Sequence, residues 1–247
     1  MRLYRDHHHA GLSSASAVAI GNFDGVHLGH QALLRRARER AAALEESVET
    51  ALVSFEPLPK AFFAPESAPP RLSGPADKLR QVREHGVDLT WLLRFNGALA
   101  GLSAREFVER ILVRGLGARA VITGEDFRFG RGREGDLAML RRLGEEFGVT
   151  VDPVSAVRLG DERISSTAVR AALAAGDLAK AEAMLGRPYT VSGHVIRGRQ
   201  LGRDLGYPMA NLRPWGGSTP LDGVFAVQAR VGQGPWRDGV ASVGVRP

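Results

Sequence analysis

The sequence contains no cysteine, which excludes disulfides, thiolate nucleophiles and cysteine-based zinc sites. Lysine is almost as scarce, occurring only at Lys60, Lys78 and Lys180. The net charge of +6 is therefore carried by arginine, and the arginines are scattered among Asp and Glu rather than gathered in a block. That pattern argues against nucleic-acid binding, and binding of small phosphorylated anions explains the charge as well. No apolar run approaches the roughly 20 residues that cross a bilayer, and Met1-Arg2-Leu3-Tyr4-Arg5-Asp6 lacks the apolar core of a signal peptide. No membrane partner is expected, and these absences suit the cytoplasm. A Gly-x-x-x-x-Gly-Lys-Ser/Thr loop is also missing, which argues against P-loop chemistry.

What is there begins with Val18 to His30. A short apolar run, read as a buried strand, breaks at Gly21 and passes through Asn22, Phe23, Asp24 and Gly25 to His27-Leu28-Gly29-His30. An amphipathic helix is predicted from Gln31 to Leu44, with Ala32, Leu33, Leu34, Ala37, Ala41 and Leu44 on its apolar face. Strand, glycine turn and helix start together make an anion site, because the helix offers unpaired N–H groups and a partial positive charge. His27 and His30 share a face at that start, and Gly29 between them holds nothing away. The triple His7-His8-His9 lies before the strand without converging partners and reads as an exposed loop rather than a metal site.

Further strands are predicted at Thr50–Phe55, Asp88–Leu93, Ala118–Thr123 and Val149–Val154, and helices at Ala76–Glu84, Ala104–Val113 and Asp136–Phe147. Ser103 and Glu106 form a capping box for the middle helix. The prolines of Glu56-Pro57-Leu58-Pro59 are read as holding the chain extended, and the Pro-rich stretch to Pro75 as loop. This alternation predicts an α/β domain with a parallel sheet, helices on both faces, and ligands at the C-terminal strand ends. Two further constellations face that cleft. Ser165-Ser166-Thr167 caps a helix carrying Arg170 and can cradle a second phosphate group. Asp126, Phe127 and Arg128 follow a strand end, so their polar groups should face the same cleft, and Phe127 could pack on a flat ring or on the core. Two short helices then close at Gly186, and β texture begins: Thr190-Val191, Val224 to Val227 and Gly239 to Val243. The expected units are 1–186 and an incomplete all-β unit, 187–247.

Three motifs in one order, Gly21 to His30, Gly124 to Gly130 and Ile164 to Thr167, resemble the prokaryotic bifunctional riboflavin kinase/FAD synthetase family. The resemblance implies a Rossmann-like FMN adenylyltransferase domain followed by a riboflavin-kinase-like barrel, with ATP, FMN and riboflavin as substrates and Mg2+ as cofactor. It implies catalytic roles for His27 and His30. Asn22, Phe23, Asp24, Gly25, Gly29, Ser165, Ser166, Thr167 and Arg170 would bind ATP. The kinase signature would comprise Gly193, Gly202, Arg203, Gly206, Pro208 and Asn211, with Asn211 on magnesium. Two departures stand out. Leu58 replaces a histidine after Glu-Pro, and Met209 replaces a threonine whose oxygen would serve the metal; a thioether suits a hard cation poorly. The family also places a glutamate beyond Pro247. The expectation is FAD synthesis with little or no riboflavin kinase activity. The alternatives are adenylyl transfer to another acceptor and non-catalytic flavin or nucleotide binding; oligomeric state is left open.

Overall fold

The computed structural model describes residues 1–6, 9–44, 47–198, 206, 209–215 and 217–244. Period-two alternation in the second strand shows how the core is divided. Val18 and Ile20 pack on one side with Trp91, Phe107, Ile111 and Leu140, and Ala17 and Ala19 on the other with Leu34, Ala37 and Val82. Buried on both faces, such strands form a parallel sheet covered by helices.

Six strands build it: β1 (Arg2–Arg5), β2 (Ser16–Ile20), β3 (Glu49–Glu56), β4 (Leu89–Arg94), β5 (Ala118–Gly124) and β6 (Thr150–Val154). All pairings are parallel, in the order β1-β4-β3-β2-β5-β6. Val18 of β2 lies opposite Ala51 of β3 and Val121 of β5. Strand order reverses direction at β2, so the turn after Ile20 sits at a topological switch point, where such sheets bind ligands.

The principal helices are α1 (Leu28–Leu44), α2 (Pro75–Glu84), α3 (Leu137–Phe147), α4 (Ser166–Ala174) and α5 (Leu178–Leu185). Their ends follow the sequence signals. Asp136 and Ser165 cap α3 and α4 through side-chain oxygens, and Gly186 ends α5 in the left-handed region. The capping box of Ser103 and Glu106 is present, and the predicted helix from Ala104 extends to Leu116, with π-type winding over Val108–Val113. Gly115 is required there, since a Cβ would lie 2.4 Å from the Trp91 ring.

One expectation is corrected, and two elements stand where none was predicted. The Pro-rich stretch is not all loop: Pro59–Phe63 is a short helix with Pro59 in its first turn, a position where a missing N–H costs nothing. Strand β1 was unforeseen because four residues with charged ends carry no strand periodicity; it gains its place by pairing Leu3 and Tyr4 with Thr90 and Trp91. A small hairpin, β7 (Arg158–Leu159) with β8 (Glu162–Arg163), precedes α4.

The C-terminal region is β-rich, with β9 (Gly193–Ile196) antiparallel to β10 (Asn211–Pro214) and β11 (Gly223–Ala229) to β12 (Arg237–Val243). Thr190-Val191 lies outside these strands. Val195, Leu212, Val224, Val240, Trp215 and Trp236 are exposed here, whereas Trp91 is fully buried. No helix among the described residues is long and apolar enough to cross a membrane.

Candidate functional site

The chain leaves β2 through a turn that ordinary residues enter reluctantly. Phe23, Gly25 and Val26 have φ of 50°, 82° and 43°, and a left-handed conformation is unusual for an aromatic and more so for a β-branched residue. Gly25 is needed twice over, since a Cβ there would also lie 2.9 Å from Leu72. The turn is held by polar contacts. The carboxylate of Asp24, almost fully buried, accepts from the Leu72 and Ser73 backbone N–H groups at 3.1 and 3.2 Å and from the Arg170 guanidinium. The Gly25 N–H donates to Ser73 Oγ at 3.1 Å.

The turn delivers His27 and His30 to the start of α1. Their rings stack with centroids 3.7 Å apart, and the Phe23 ring stacks on His30 at 4.7 Å. His27 Nδ1 accepts a long bond of 3.4 Å from the His30 backbone N–H. That leaves the proton of a neutral His27 on Nε2. Burial lowers His27 to about 4, helped by the positive charges of Arg163, Arg170 and Arg187. Burial also holds His30 well below the ordinary imidazole range, with His27 and Lys78 adding to the effect. His30 Nδ1 is enclosed without a partner. Both rings are therefore neutral donors at physiological pH, aligned with a helix N-terminus.

The second constellation meets the first. A Cβ at Gly29 would lie 3.1 Å from the His27 ring and 3.6 Å from the Ile164 carbonyl oxygen, so the start of α1 and the approach to α4 face each other across one glycine. Ser165 Oγ accepts from the Ala168 N–H at 3.1 Å, and Ser166 Oγ donates to the Asp24 carbonyl at 3.0 Å. Thr167 is exposed. Arg170 reaches the turn itself, with Nε also donating to the Pro70 carbonyl at 2.6 Å. Two helix N-termini converging with serine hydroxyls and a neutral histidine pair form an arrangement suited to several phosphate groups.

The third constellation lies at the rim. Asp126 is exposed and pairs with Arg163 at 2.8 Å, Arg128 pairs with Asp136 at 3.1 Å, and Phe127 stacks on Phe129 against the core. Asn22 is exposed, while its carbonyl accepts from Lys78 Nζ at 2.8 Å and Ser54 Oγ at 3.1 Å. Lys78 has no site role in the sequence reading, and the scarcity of lysine among so many arginines is the one signal that points to it. It is almost wholly buried, and burial lowers its ammonium to about 8. An aromatic group, Phe62, Phe63 and Phe95 with centroids 5.2 to 5.6 Å apart, stands beyond the ends of β3 and β4. Phe63 is 67% exposed.

Residues 10–168 match the FAD synthetase family and residues 185–247 the riboflavin kinase family. The bifunctional riboflavin kinase/FMN adenylyltransferase of Pseudomonas fluorescens is 46% identical over 248 residues, covering all of this chain and 78% of its own length. The chain belongs to that bifunctional family. The enzyme of the same description from Escherichia coli K12 is 42% identical, with 100% and 79% covered, and that of Haemophilus influenzae 41%, with 100% and 80% covered. Among solved structures, one described as a macrolide-efflux protein from Streptococcus pneumoniae shares the fold, with a TM-score of 0.84, 31% identity, and 99% of this chain and 79% of that one covered.

Within the family's kinase-type region, Gly193 lies where a Cβ would strike the Arg213 carbonyl oxygen at 2.1 Å, and Gly206 has a φ of 79°. Asn211 opens β10 opposite Ile196, and Met209 is 69% exposed. Gly202, Arg203 and Pro208 lie outside the described residues, as do His7 and His8. His9 Nε2 donates to the Arg5 carbonyl at 2.7 Å. No three His, Asp or Glu side chains among the described residues gather into a metal cage. Near the histidines, Asp24 is committed to Arg170 and Glu56 to a two-point pairing with Arg71 at 2.5 and 2.6 Å.

Proposed function

We propose that this chain transfers AMP from ATP to FMN, giving FAD and pyrophosphate. The neutral stacked pair His27–His30 at the N-terminus of α1, facing the Ser165–Ser166 cap of α4, is the observation that carries the reading. A phosphate oxygen of FMN attacks the α-phosphorus of ATP, forming one P–O bond as the α–β bridge breaks and pyrophosphate leaves. The attacking phosphate is already ionised, so no general base is required, and catalysis is positioning plus stabilisation of developing charge. His27 donates from Nε2 to a phosphate oxygen, and His30 acts beside it. Gly25 and Gly29 let backbone approach; Ser165, Ser166 and Thr167 hold the triphosphate from the other helix. Arg170 acts through Asp24, fixing the turn. Asp126, Phe127 and Arg128 border the pocket, and Phe63, the exposed member of the edge-to-face group with Phe62 and Phe95, offers an aromatic ring to an isoalloxazine.

Magnesium enters this reading only as the ion carried by ATP, because the carboxylates nearest the histidines are already paired. We place the adenylyltransferase unit in residues 1–186 and the kinase-like unit in 187–247, and the reaction in the cytoplasm. Phosphorylation of riboflavin by ATP is proposed to be weak, because Met209 offers sulfur where the resemblance calls for an oxygen ligand. The test is pyrophosphate release from ATP plus FMN against ATP alone, with His27→Ala/His30→Ala alongside. FMN-dependent release that falls by about a hundredfold or more in the double variant is expected. Release without FMN would indicate another acceptor, and wild-type turnover in the double variant would end the histidine mechanism.

A further inference from the structure

Four carbonyls of the turn each accept from a different side chain. Asn22 is held by Lys78 of α2 at 2.8 Å, Asp24 by Ser166 of α4 at 3.0 Å, and Val26 by Gln31 of α1 at 3.0 Å. The fourth donor is Arg187, whose Nη2 gives a bond of 2.7 Å to the buried Gly25 carbonyl. Its Nη1 donates to the Leu185 carbonyl at 3.2 Å, which also accepts from Gln31 at 2.8 Å. One guanidinium thus ties the end of α5 to the left-handed centre of the turn. Lysine could not reproduce that planar fork.

Arg187 does not belong to the stretch that matches FAD synthetase, 10–168; it lies in the riboflavin kinase match, 185–247. The residues after it continue across the first unit. Tyr189 packs on the cluster that contains Leu72 and Ile164, and Ser192 Oγ donates to the buried carboxylate of Asp77 at 2.8 Å. We propose that Arg187 is a positioning residue for adenylyl transfer, supplied to the first site by the kinase-type region. The role rests on the function proposed above. Its physical basis has two parts. The bond to Gly25 satisfies a buried carbonyl in a turn whose φ values need outside support. The charge is one of three guanidinium groups, with Arg163 and Arg170, that disfavour protonation of His27. His27 is otherwise stacked on His30, Arg170 is paired with the Asp24 carboxylate, and Lys78 acts on His30 from α2.

The experiment uses the full chain, with FAD formation from Mg-ATP and FMN followed from pH 4 to 8 for the unaltered protein, Arg187→Gln and Arg187→Lys. Arg187→Gln is expected to lower kcat about tenfold, the worth of one buried hydrogen bond, with KM for ATP and FMN nearly unchanged. Its acidic limb moves to higher pH as His27 loses a cation. Arg187→Lys keeps the charge, so its acidic limb stays in place while kcat remains low. Full kcat in Arg187→Gln, or a reduced kcat with an unmoved acidic limb and a lowered melting temperature, would overturn the proposal and leave a structural linker. Absence of FAD formation by the unaltered chain overturns the reaction itself, and this role with it.

Discussion

His27 exchanges water for the Phe23–His30 stack and three nearby guanidinium groups, so its neutral form is the one the fold accepts. Because its folded value, about 4, lies below the ordinary 6.5, the unfolded chain binds the proton first as pH falls. Stability contributed by neutral His27 is therefore intact above about 6.5 and lost progressively down to about 4. The full difference is worth about 3 kcal/mol, before the same-sign effect of His30. Urea unfolding at pH 7.5 and 4.5 should show the loss, and His27→Gln should flatten it. Lys78 presents the opposite balance. Its ammonium is costly to bury, yet it holds the Asn22 carbonyl and also bonds Ser54 Oγ at 3.3 Å. Lys78→Met, which keeps the aliphatic stem, should leave the melting temperature nearly unchanged while FAD formation falls about tenfold. A parallel loss of both would mean that Lys78 is structural only.

At the scale of elements, two glycines four residues apart divide stability from chemistry. Gly25→Ala meets both a φ of 82° and Leu72, and should cost about 2 kcal/mol or more in urea unfolding. Gly29→Ala sits inside α1, where alanine favours the helix by about 1 kcal/mol. Its methyl would press on the His27 ring, so the protein should remain as stable while turnover drops. Helix and strand periodicity made α1, β2, β3, β5 and α3 readable, since each carries its own signal in sequence. The edge strand β1 and the Pro59–Phe63 helix do not, because partner strands and position alone decide them. The histidine turn was legible for the same reason as α1: strand, glycine and helix start are contiguous. The destinations of Lys78, Arg170 and Arg187 were not, because each acts on a turn 56, 146 or 162 residues away in the chain. Spacing along a sequence holds no record of such meetings.

At the scale of the whole molecule, the two regions differ in how firmly they are held. The six-stranded sheet is enclosed by helices, whereas among the described residues β9/β10 and β11/β12 are two-stranded ladders with exposed apolar residues, and two-stranded pairs are marginal in water. Amide exchange should accordingly be slow in β2, β3 and β5 and fast in β11 and β12. Uniform protection across both regions would contradict this. If Met209 is what limits the second activity, Met209→Thr should raise Mg-dependent conversion of riboflavin to FMN without altering FAD synthesis from supplied FMN. An unchanged rate would place the limitation elsewhere.

The three tryptophans follow the same division. Trp91 is fully buried against Gly115, with its indole N–H bonded to the Asp6 carbonyl, while Trp215 and Trp236 are 41% and 50% exposed. Emission from Trp91 should therefore be blue and protected from iodide, and that of the other two red-shifted and quenchable. One fluorescence spectrum thus carries a separate optical signal from each half, so the order in which the halves come apart can be read in solution without attaching a dye.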